Sequence, residues 1–172
     1  MLATLFGKIW DYLAGFLSHP YADLEITQED FGKYCNGIVR TSKEPVYTND
    51  AFYNYDFFWN YKLTIKNNST KPIFYIKIEE VPSYFTFLSE LRKTESMQPF
   101  QELNLNCSIQ HSDIMNGNKS NTILNAFPYF IDTITIVLSY QNEKHKCYYT
   151  TFTYNRNGQH NEHKKKRIWI KK

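Results

Sequence analysis

Residues 60–78 read NYKLTIKNNSTKPIFYIKI and carry the clearest strand pattern in the chain. In the first half of this stretch Tyr61, Leu63 and Ile65 alternate with lysine and threonine, which is the two-residue period of a strand with one buried face. Three turn-forming residues, Asn-Asn-Ser at 67–69, come next, and apolar residues then alternate again. The segment therefore predicts two β-strands separated by a turn.

Shorter strand patterns extend in both directions from this segment. The predicted strands are at 23–27, 37–41, 101–110 and 167–171, together with a hairpin over 133–154. Residues 82–99 are irregular, with one helical turn predicted near 88–93, and residues 113–121 are predicted to form a surface loop. Short strands between regular turn signals favour a mainly β fold, an immunoglobulin-like β-sandwich over residues 20–172, rather than a closed barrel.

The composition indicates one ordered domain with a basic end. Aromatic residues make up 17% of the 172 residues, against only 6 Gly and 6 Pro, which favours an ordered β-rich chain over a disordered one. Residues 164–172 read KKKRIWIKK, with six basic and no acidic side chains, so the remainder carries 3 − 6 = −3 of the net charge of +3. The predicted basic surface consists of Lys164, Lys165, Lys166, Arg167, Lys171 and Lys172. Such a surface suits contact with RNA, contact with an anionic lipid leaflet, or protection of a sheet edge by lysines.

Residues 2–18, LATLFGKIWDYLAGFLS, have the period of an amphipathic helix instead. At about 100° per residue one face is apolar and the opposite face is small and polar. The apolar face, with Trp10 at its edge, is formed by Leu2, Leu5, Phe6, Ile9, Trp10, Leu13, Phe16 and Leu17. The polar face includes Thr4, Lys8, Asp11, Gly15 and Ser18. His19-Pro20 ends the helix, because the residue before a proline is pushed out of the α region, and this predicts a separate helical segment over residues 1–19.

Two interpretations of this helix are open. It either packs its apolar face on the β domain, as surface helices commonly do, or enters a membrane. A nearly neutral polar face suits helices that surround an aqueous lumen, with the apolar residues facing lipid and the polar face lining the pore. Seventeen residues at about 1.5 Å each reach roughly 26 Å, close to the ~30 Å hydrocarbon core of a bilayer.

The cysteines and the N-terminal residues predict that the β domain lies in the cytosol. Cys35, Cys107 and Cys147 are an odd number with no CxxC pair, which predicts free thiols in a reducing compartment. The N-terminal residues lack the layout of a signal peptide, and no run of eighteen apolar residues predicts a conventional membrane-spanning helix. We expect no metal and no cofactor, because the histidines have no partners at ligand spacing and no glycine-rich phosphate loop is present.

One spacing in the chain points to catalysis. Arg156 and His163 are separated by six residues, as in HEPN-type ribonucleases, where a histidine can move the 2′-hydroxyl proton and an arginine can hold the phosphate. The pair lies in a glycine-containing loop between two strand patterns, which is a poor place for a rigid site. We therefore expect no enzymatic activity, with a metal-independent ribonuclease as an alternative.

The amphipathic N-terminal helix, the Tyr- and Asn-rich β domain and the Arg156–His163 spacing together resemble the small accessory membrane proteins of type VI-B CRISPR systems. The resemblance implies an antiviral defence protein that forms a ring-shaped homo-oligomer, an octamer by that resemblance, and depolarises the inner (cytoplasmic) membrane by ion transport through a pore. Its partners would be other copies of the chain, the lipid bilayer and, functionally, the RNA-guided effector or its RNA. The alternative from another class is a soluble immunoglobulin-like interaction module whose helix packs on its own core.

Overall fold

Strands dominate the part of the chain that the computed structural model describes, which is residues 20–39, 51–89 and 96–165. The strands are β1 (Ala22–Ile38), β2 (Phe52–Asn67), β3 (Ile73–Glu80), β4 (Phe85–Phe87), β5 (Ser96–Met97), β6 (Glu102–Asn116), β7 (Thr133–Gln141), β8 (Cys147–Asn155) and β9 (Gly158–Lys164). Within these ranges one short helix, α1 (Gly117–Ile123), follows β6. The predicted helix over 2–18 and the predicted strand over 167–171 lie outside the described residues.

The described strands form two antiparallel sheets. The first sheet has the order β1-β2-β6-β4 and the second has the order β5-β3-β7-β8-β9. Residues 60–78 connect them, because β2 belongs to the first sheet and β3 belongs to the second. The predicted hairpin over 133–154 is confirmed, since β7 and β8 pair along their whole length.

Side chains from both sheets form one hydrophobic core. Tyr61, Leu63 and Ile65 of β2 are fully buried, as their alternation predicts. Ile136 and Leu138 of β7 belong to the same core from the second sheet. Burial of each large apolar side chain stabilises the fold by about 1.5–3 kcal/mol, so this shared core holds the sheets together. The prediction of a mainly β fold is confirmed.

A buried polar side chain organises the turn between the sheets. Asn67 is fully buried, and its Nδ2 donates to the carbonyls of Lys71, Met97 and Gln98 at 2.9, 3.1 and 3.1 Å. Its Oδ1 accepts from the backbone N and the Oγ of Ser69 at 3.1 and 2.6 Å. Because both polar atoms of the amide are bonded, Asn67 fixes the turn without leaving an unsatisfied group in the core.

The strand β1 is longer than its sequence pattern indicates. Two short strands were expected at 23–27 and 37–41, but Ala22–Ile38 is one strand that pairs with β2 almost throughout. Residues 28–36 are mostly polar or charged and show no alternation. Their extended conformation comes from pairing with the regular strand β2, which is a tertiary effect that local propensity does not contain.

The prediction of a surface loop at 113–121 is wrong. β6 continues to Asn116, and α1 begins at the next residue. The side chain of Asn116 accepts a hydrogen bond from the backbone N of Lys119 at 2.8 Å, which is the ordinary N-cap of a helix. The irregular stretch 82–99 contains β4 and β5, while the helical turn predicted near 88–93 falls mainly outside the described residues.

Candidate functional site at the corner between β1 and β9

The start of β1 and the end of β9 meet in an ion pair that connects the two sheets. The Nε2 of His163 on β9 lies 2.9 Å from the Oδ1 of Asp23 on β1. Asn68, in the turn after β2, donates to the other carboxylate oxygen. The hydrogen bond from His163 holds the pKa of Asp23 below its usual value, against partial burial, which acts to raise it, and Asn68 adds to the lowering.

The second ring nitrogen of His163 is also engaged. Its Nδ1 lies 3.1 Å from the Oγ1 of Thr150, and that hydroxyl donates to the carbonyl of Ala22 at 2.7 Å. A hydroxyl has one proton, so the Nδ1 of His163 must be the donor to Thr150. The Nε2 faces the carboxylate of Asp23. Both ring nitrogens therefore have partners within the protein, and neither is free to take a proton from a substrate.

Two side chains of β9 bond to the backbone at the edge of β1. The amide of Asn161 forms two hydrogen bonds with Leu24, accepting from its N at 2.9 Å and donating to its O at 2.8 Å. The Oε1 of Gln159 accepts from the N of Ile26 at 2.9 Å. These amides take the place of a neighbouring strand for the N and O of Leu24 and the N of Ile26, although β1 is the outermost strand of its sheet.

An open groove of about 410 Å³ lies along this corner. It is lined by Asp23, Leu24, Glu25, Lys66, Asn68, Gln159, Asn161 and His163. The lining contains charges of both signs, and Lys66 is already paired with Glu102 at 2.8 Å. Among the described residues no group of His, Cys, Asp and Glu could hold a metal ion. The corner is built as a polar joint between the sheets.

Residues close in sequence to both undescribed ends of the chain also meet at this corner. The ring of Tyr21, just before β1, lies 5.5 Å from the ring of His163. Residues 2–18 precede Tyr21 closely in sequence, and residues 164–172 follow His163 directly. The predicted amphipathic helix and the predicted basic surface are therefore attached to the β domain at the same point.

The structure separates the two candidate ribonuclease residues. Arg156 lies in the turn between β8 and β9, and its guanidinium donates to the carbonyl of Tyr129 at 3.3 Å. His163 lies near the other end of β9, opposite Thr150, whereas the turn closes at Asn155 opposite Gly158. Five residues of strand separate these positions by about 17 Å. The prediction that this stretch is a loop is wrong, because Gly158–Lys164 is a strand, and the two side chains do not face one phosphate.

The other predicted site residues are divided between the described part and the rest of the chain. Lys164 is paired with Glu162 at 2.7 Å and Lys165 is exposed. The predicted lipid-facing and pore-lining residues, all within 2–18, and the basic residues of 166–172 lie outside the described residues. No helix in the described part is long and apolar enough to cross a membrane.

Sequence reasoning missed most of the residues at this corner. Gln159, Asn161 and His163 alternate along β9 and face the first sheet, but they were assigned to a polar surface loop. The alternation was the available signal. The partners of these residues on β1 could not be found from sequence, because more than 130 positions separate them.

Comparisons with known proteins add no relative. No protein-family model, no curated protein and no solved structure matches this chain. The functional argument therefore depends on the sequence patterns and on the geometry described above.

Proposed function

We propose that this chain is an accessory protein of antiviral defence that oligomerises into a membrane pore and depolarises the cytoplasmic membrane. Residues 2–18 form the pore helix, and the β domain is an immunoglobulin-like sandwich that serves as a cytosolic scaffold. The observation that supports the proposal is the contact between Tyr21 and His163, which lie a few residues along the chain from the amphipathic segment and the basic segment.

This arrangement directs two membrane signals to one side of the β domain. An amphipathic helix binds the bilayer boundary through its apolar face, and each Lys or Arg near an anionic leaflet adds about 1 kcal/mol of attraction. Stable attachment generally needs two such signals. Residues 2–18 supply the first, and the lysines at 164–166 supply the second from a neighbouring position.

The assembly into a ring follows from the polar face of the helix. A single helix that crossed the bilayer would expose Lys8 and Asp11 to lipid, where a charge costs about 2.5–3.5 kcal/mol. Several copies can turn these residues toward a shared lumen and keep the apolar residues on the lipid side. A polar stripe with small residues also allows neighbouring helices to approach closely.

Two parts of the proposal have different support. The sandwich is supported by two antiparallel sheets that share one core. The antiviral role, the ring and its octameric state are carried by the resemblance to accessory proteins of type VI-B CRISPR systems. The geometry of the β domain is compatible with a scaffold.

Membrane partitioning of two matched variants of the full chain tests the orientation of the helix. Leu13→Lys places a charge at the centre of the apolar face and should abolish co-flotation with phosphatidylethanolamine–phosphatidylglycerol vesicles. Lys8→Leu changes the polar face and should leave co-flotation intact. Equal co-flotation of both variants would contradict the assigned faces.

Conductance tests the pore itself. If the helices line a lumen, Lys8 and Asp11 form charged rings roughly 4.5 Å apart, and charged rings set ion selectivity in narrow pores. Asp11→Asn should shift the reversal potential toward anion preference, and Lys8→Gln toward cation preference. If purified protein in planar bilayers gives no conductance, the pore is refuted. If conductance persists with an unchanged reversal potential in both variants, residues 2–18 do not line it.

A second candidate, a soluble interaction module, is favoured by an apolar patch on the outer face of the first sheet. Tyr34, Phe52 and Ile114 are 65%, 47% and 52% exposed, and Tyr34 stacks on Phe58 at 5.2 Å. The ring of Phe58 lies over Gly32, where a Cβ would come within 2.6 Å of it. If the full chain is monomeric without detergent and does not co-float with vesicles, the interaction module becomes the better proposal.

A further inference from the structure

The outer edge of β1 changes character along its length. Over residues 22–26 its backbone is bonded by Gln159, Asn161 and Thr150. A register shift then occurs between Gln28 and Asp30. Beyond this bulge none of the described residues bonds to the outer side of the strand.

The part of the edge beyond the bulge, called the free edge because no described residue bonds to it, has a defined set of backbone donors. Leu24 and Ile26 lie opposite odd-numbered residues of β2 and turn their N–H groups away from it. Phe31, Lys33 and Cys35 also lie opposite odd-numbered residues of β2, after the bulge. In an antiparallel pair such positions alternate with the bonded ones, so these three residues direct their N–H groups outward. They form a template for one more strand.

The charge at this edge specifies what kind of strand fits. Glu29 and Asp30 are exposed and form no ion pair with the described residues. Residues 166–172, KRIWIKK, contain four basic side chains, no acidic one, and a short strand pattern. The edge of β9 suits a basic strand less well. His160 and Lys164 lie along this edge, and its carboxylate, Glu162, is already paired with Lys164.

The spacing of the two strands excludes docking within one chain. Asn161 lies beside Leu24 and Gln159 lies beside Ile26, so β9 and β1 run in opposite directions. Four residues beyond Asn161, Lys165 is therefore level with residue 20. Nine residues of strand, roughly 30 Å, separate that level from Glu29. Seven extended residues span at most about 25 Å. Residues 166–172 therefore cannot lie along residues 29–35 of their own chain.

We propose that residues 166–172 of one copy add as a short antiparallel strand to residues 29–35 of β1 in a second copy. The inference rests on the oligomeric part of the proposed function and supplies a contact that such an oligomer needs. The contact joins two different surfaces, so it is head-to-tail, and contacts of that type close into rings when the rotation between copies permits. The contact also requires β1 to run roughly parallel to the membrane plane, because the donated strand and residues 2–18 both continue from the same corner.

Disulfide trapping in the full-length, detergent-solubilised protein tests this contact. Cys35 is an exposed native thiol on the free edge, and Cys147 is removed as Cys147→Ser. Cys107 stays inert because burial raises the pKa of its thiol to about 12. Lys166→Cys, which the proposed antiparallel register places opposite Cys35, or Ile168→Cys, two residues along the same face, then supplies a partner thiol in the donated segment, and mild oxidation should give a ladder of covalent multimers on a non-reducing gel.

The controls separate this contact from the other arrangements. Adding Cys35→Ser removes the acceptor thiol and should abolish the ladder. Placing a thiol on the edge of β9 instead, as His160→Cys in that background, should not bring the ladder back. An intrachain disulfide in a monomer, a ladder with His160→Cys, or no cross-link with either tail variant would overturn the proposal. If neither tail variant cross-links but the protein conducts ions in planar bilayers, this contact is refuted and the proposed function is not. If the variants form cross-linked rings but give no conductance, the proposed function is refuted and this contact is not.

Charge reversal gives a second readout that does not depend on cysteine chemistry. Glu29→Lys/Asp30→Lys should raise the concentration for half-assembly by about tenfold, because two exposed attractions to the basic segment become repulsions. Asp132→Lys/Glu143→Lys makes the same change in net charge at exposed positions far along the chain from β1 and should leave assembly unchanged. Equal effects of the two double variants would contradict a specific contact at residues 29–30.

Discussion

The two halves of β1 belong to one strand and pair with the same neighbour, yet their outer edges are treated differently. The half at residues 22–26 is closed by side chains of Gln159 and Asn161, which act as a substitute strand. The half at residues 29–38 has a bulge, two acidic residues and, on its outer side, no bonded neighbour among the described residues. An edge closed by side chains cannot accept another strand, whereas a bulged and charged edge admits only a partner with matching charge.

The comparison also explains how the two sheets stay aligned at their open side. Apolar burial holds the sheet faces together, but it has no directional preference. The hydrogen bonds from β9 to β1 and the pair between His163 and Asp23 add direction at the corner. The joint therefore fixes the position from which residues 2–18 and 166–172 leave the β domain.

The largest effect is expected where the closed half of β1 meets the turn between the sheets. Ala22 lies opposite Asn67, and Asn67→Leu would remove the hydrogen bonds that the amide makes to the carbonyls of the turn and accepts from Ser69. We expect a loss of about 3 kcal/mol or more in the free energy of unfolding, measured by urea denaturation. Thr70→Ala, an exposed change in the same turn, is the control and should stay within about 0.5 kcal/mol.

A smaller loss is expected when the closed half of the edge is opened. Asn161→Leu keeps the branching of the side chain at Cγ but leaves both the N and the O of Leu24 without their Asn161 partners. We expect destabilisation by about 2 kcal/mol together with faster amide exchange at Leu24. The matched change on the free half is Asn36→Leu, where the exposed amide donates to Asp56 of the neighbouring strand and the expected loss is below about 0.5 kcal/mol. Similar losses in both variants would mean that side-chain closure of the edge contributes no stability.

This contrast marks the limit of what the sequence predicts. The alternation of Tyr61, Leu63 and Ile65 identified a strand with one buried face, and the structure confirms it because burial and periodicity are local properties. The bonds from β9 to β1 join residues more than 130 positions apart, and nothing in either segment indicates the other. His163 was selected for its distance from Arg156 along the chain, while the structure assigns it to Asp23 and Thr150. Spacing in sequence is a poor guide to contact when both residues lie on one extended strand.

The pH dependence of the corner provides a third test, with a smaller expected effect. The folded pKa of Asp23 lies below its unfolded value, so its contribution to stability is present above about pH 4 and is lost as the pH falls through the folded pKa. The free energy of unfolding of the wild type should exceed that of Asp23→Asn by about 1 kcal/mol at pH 5, and the difference should shrink toward pH 2. Asp132→Asn, in an exposed loop, is the control. A difference that stays constant over this pH range would show that the carboxylate charge does not contribute to the joint.

The smallest effect, with the opposite sign, is expected at the boundary between the two halves. The Nε2 of Gln28 is the one buried side-chain polar atom among the described residues that has no hydrogen-bond partner. Gln28 lies opposite the buried Tyr61, at the residue where the bulge begins. Replacing an unsatisfied buried amide with an apolar group of similar length removes a desolvation cost, so Gln28→Met should raise the free energy of unfolding by up to about 1 kcal/mol. Gln110→Met, an exposed change on β6, is the control and should have no effect. Destabilisation by Gln28→Met would mean that the amide has a partner in the assembled protein, and the edge beside it would then be the first place to look for that partner.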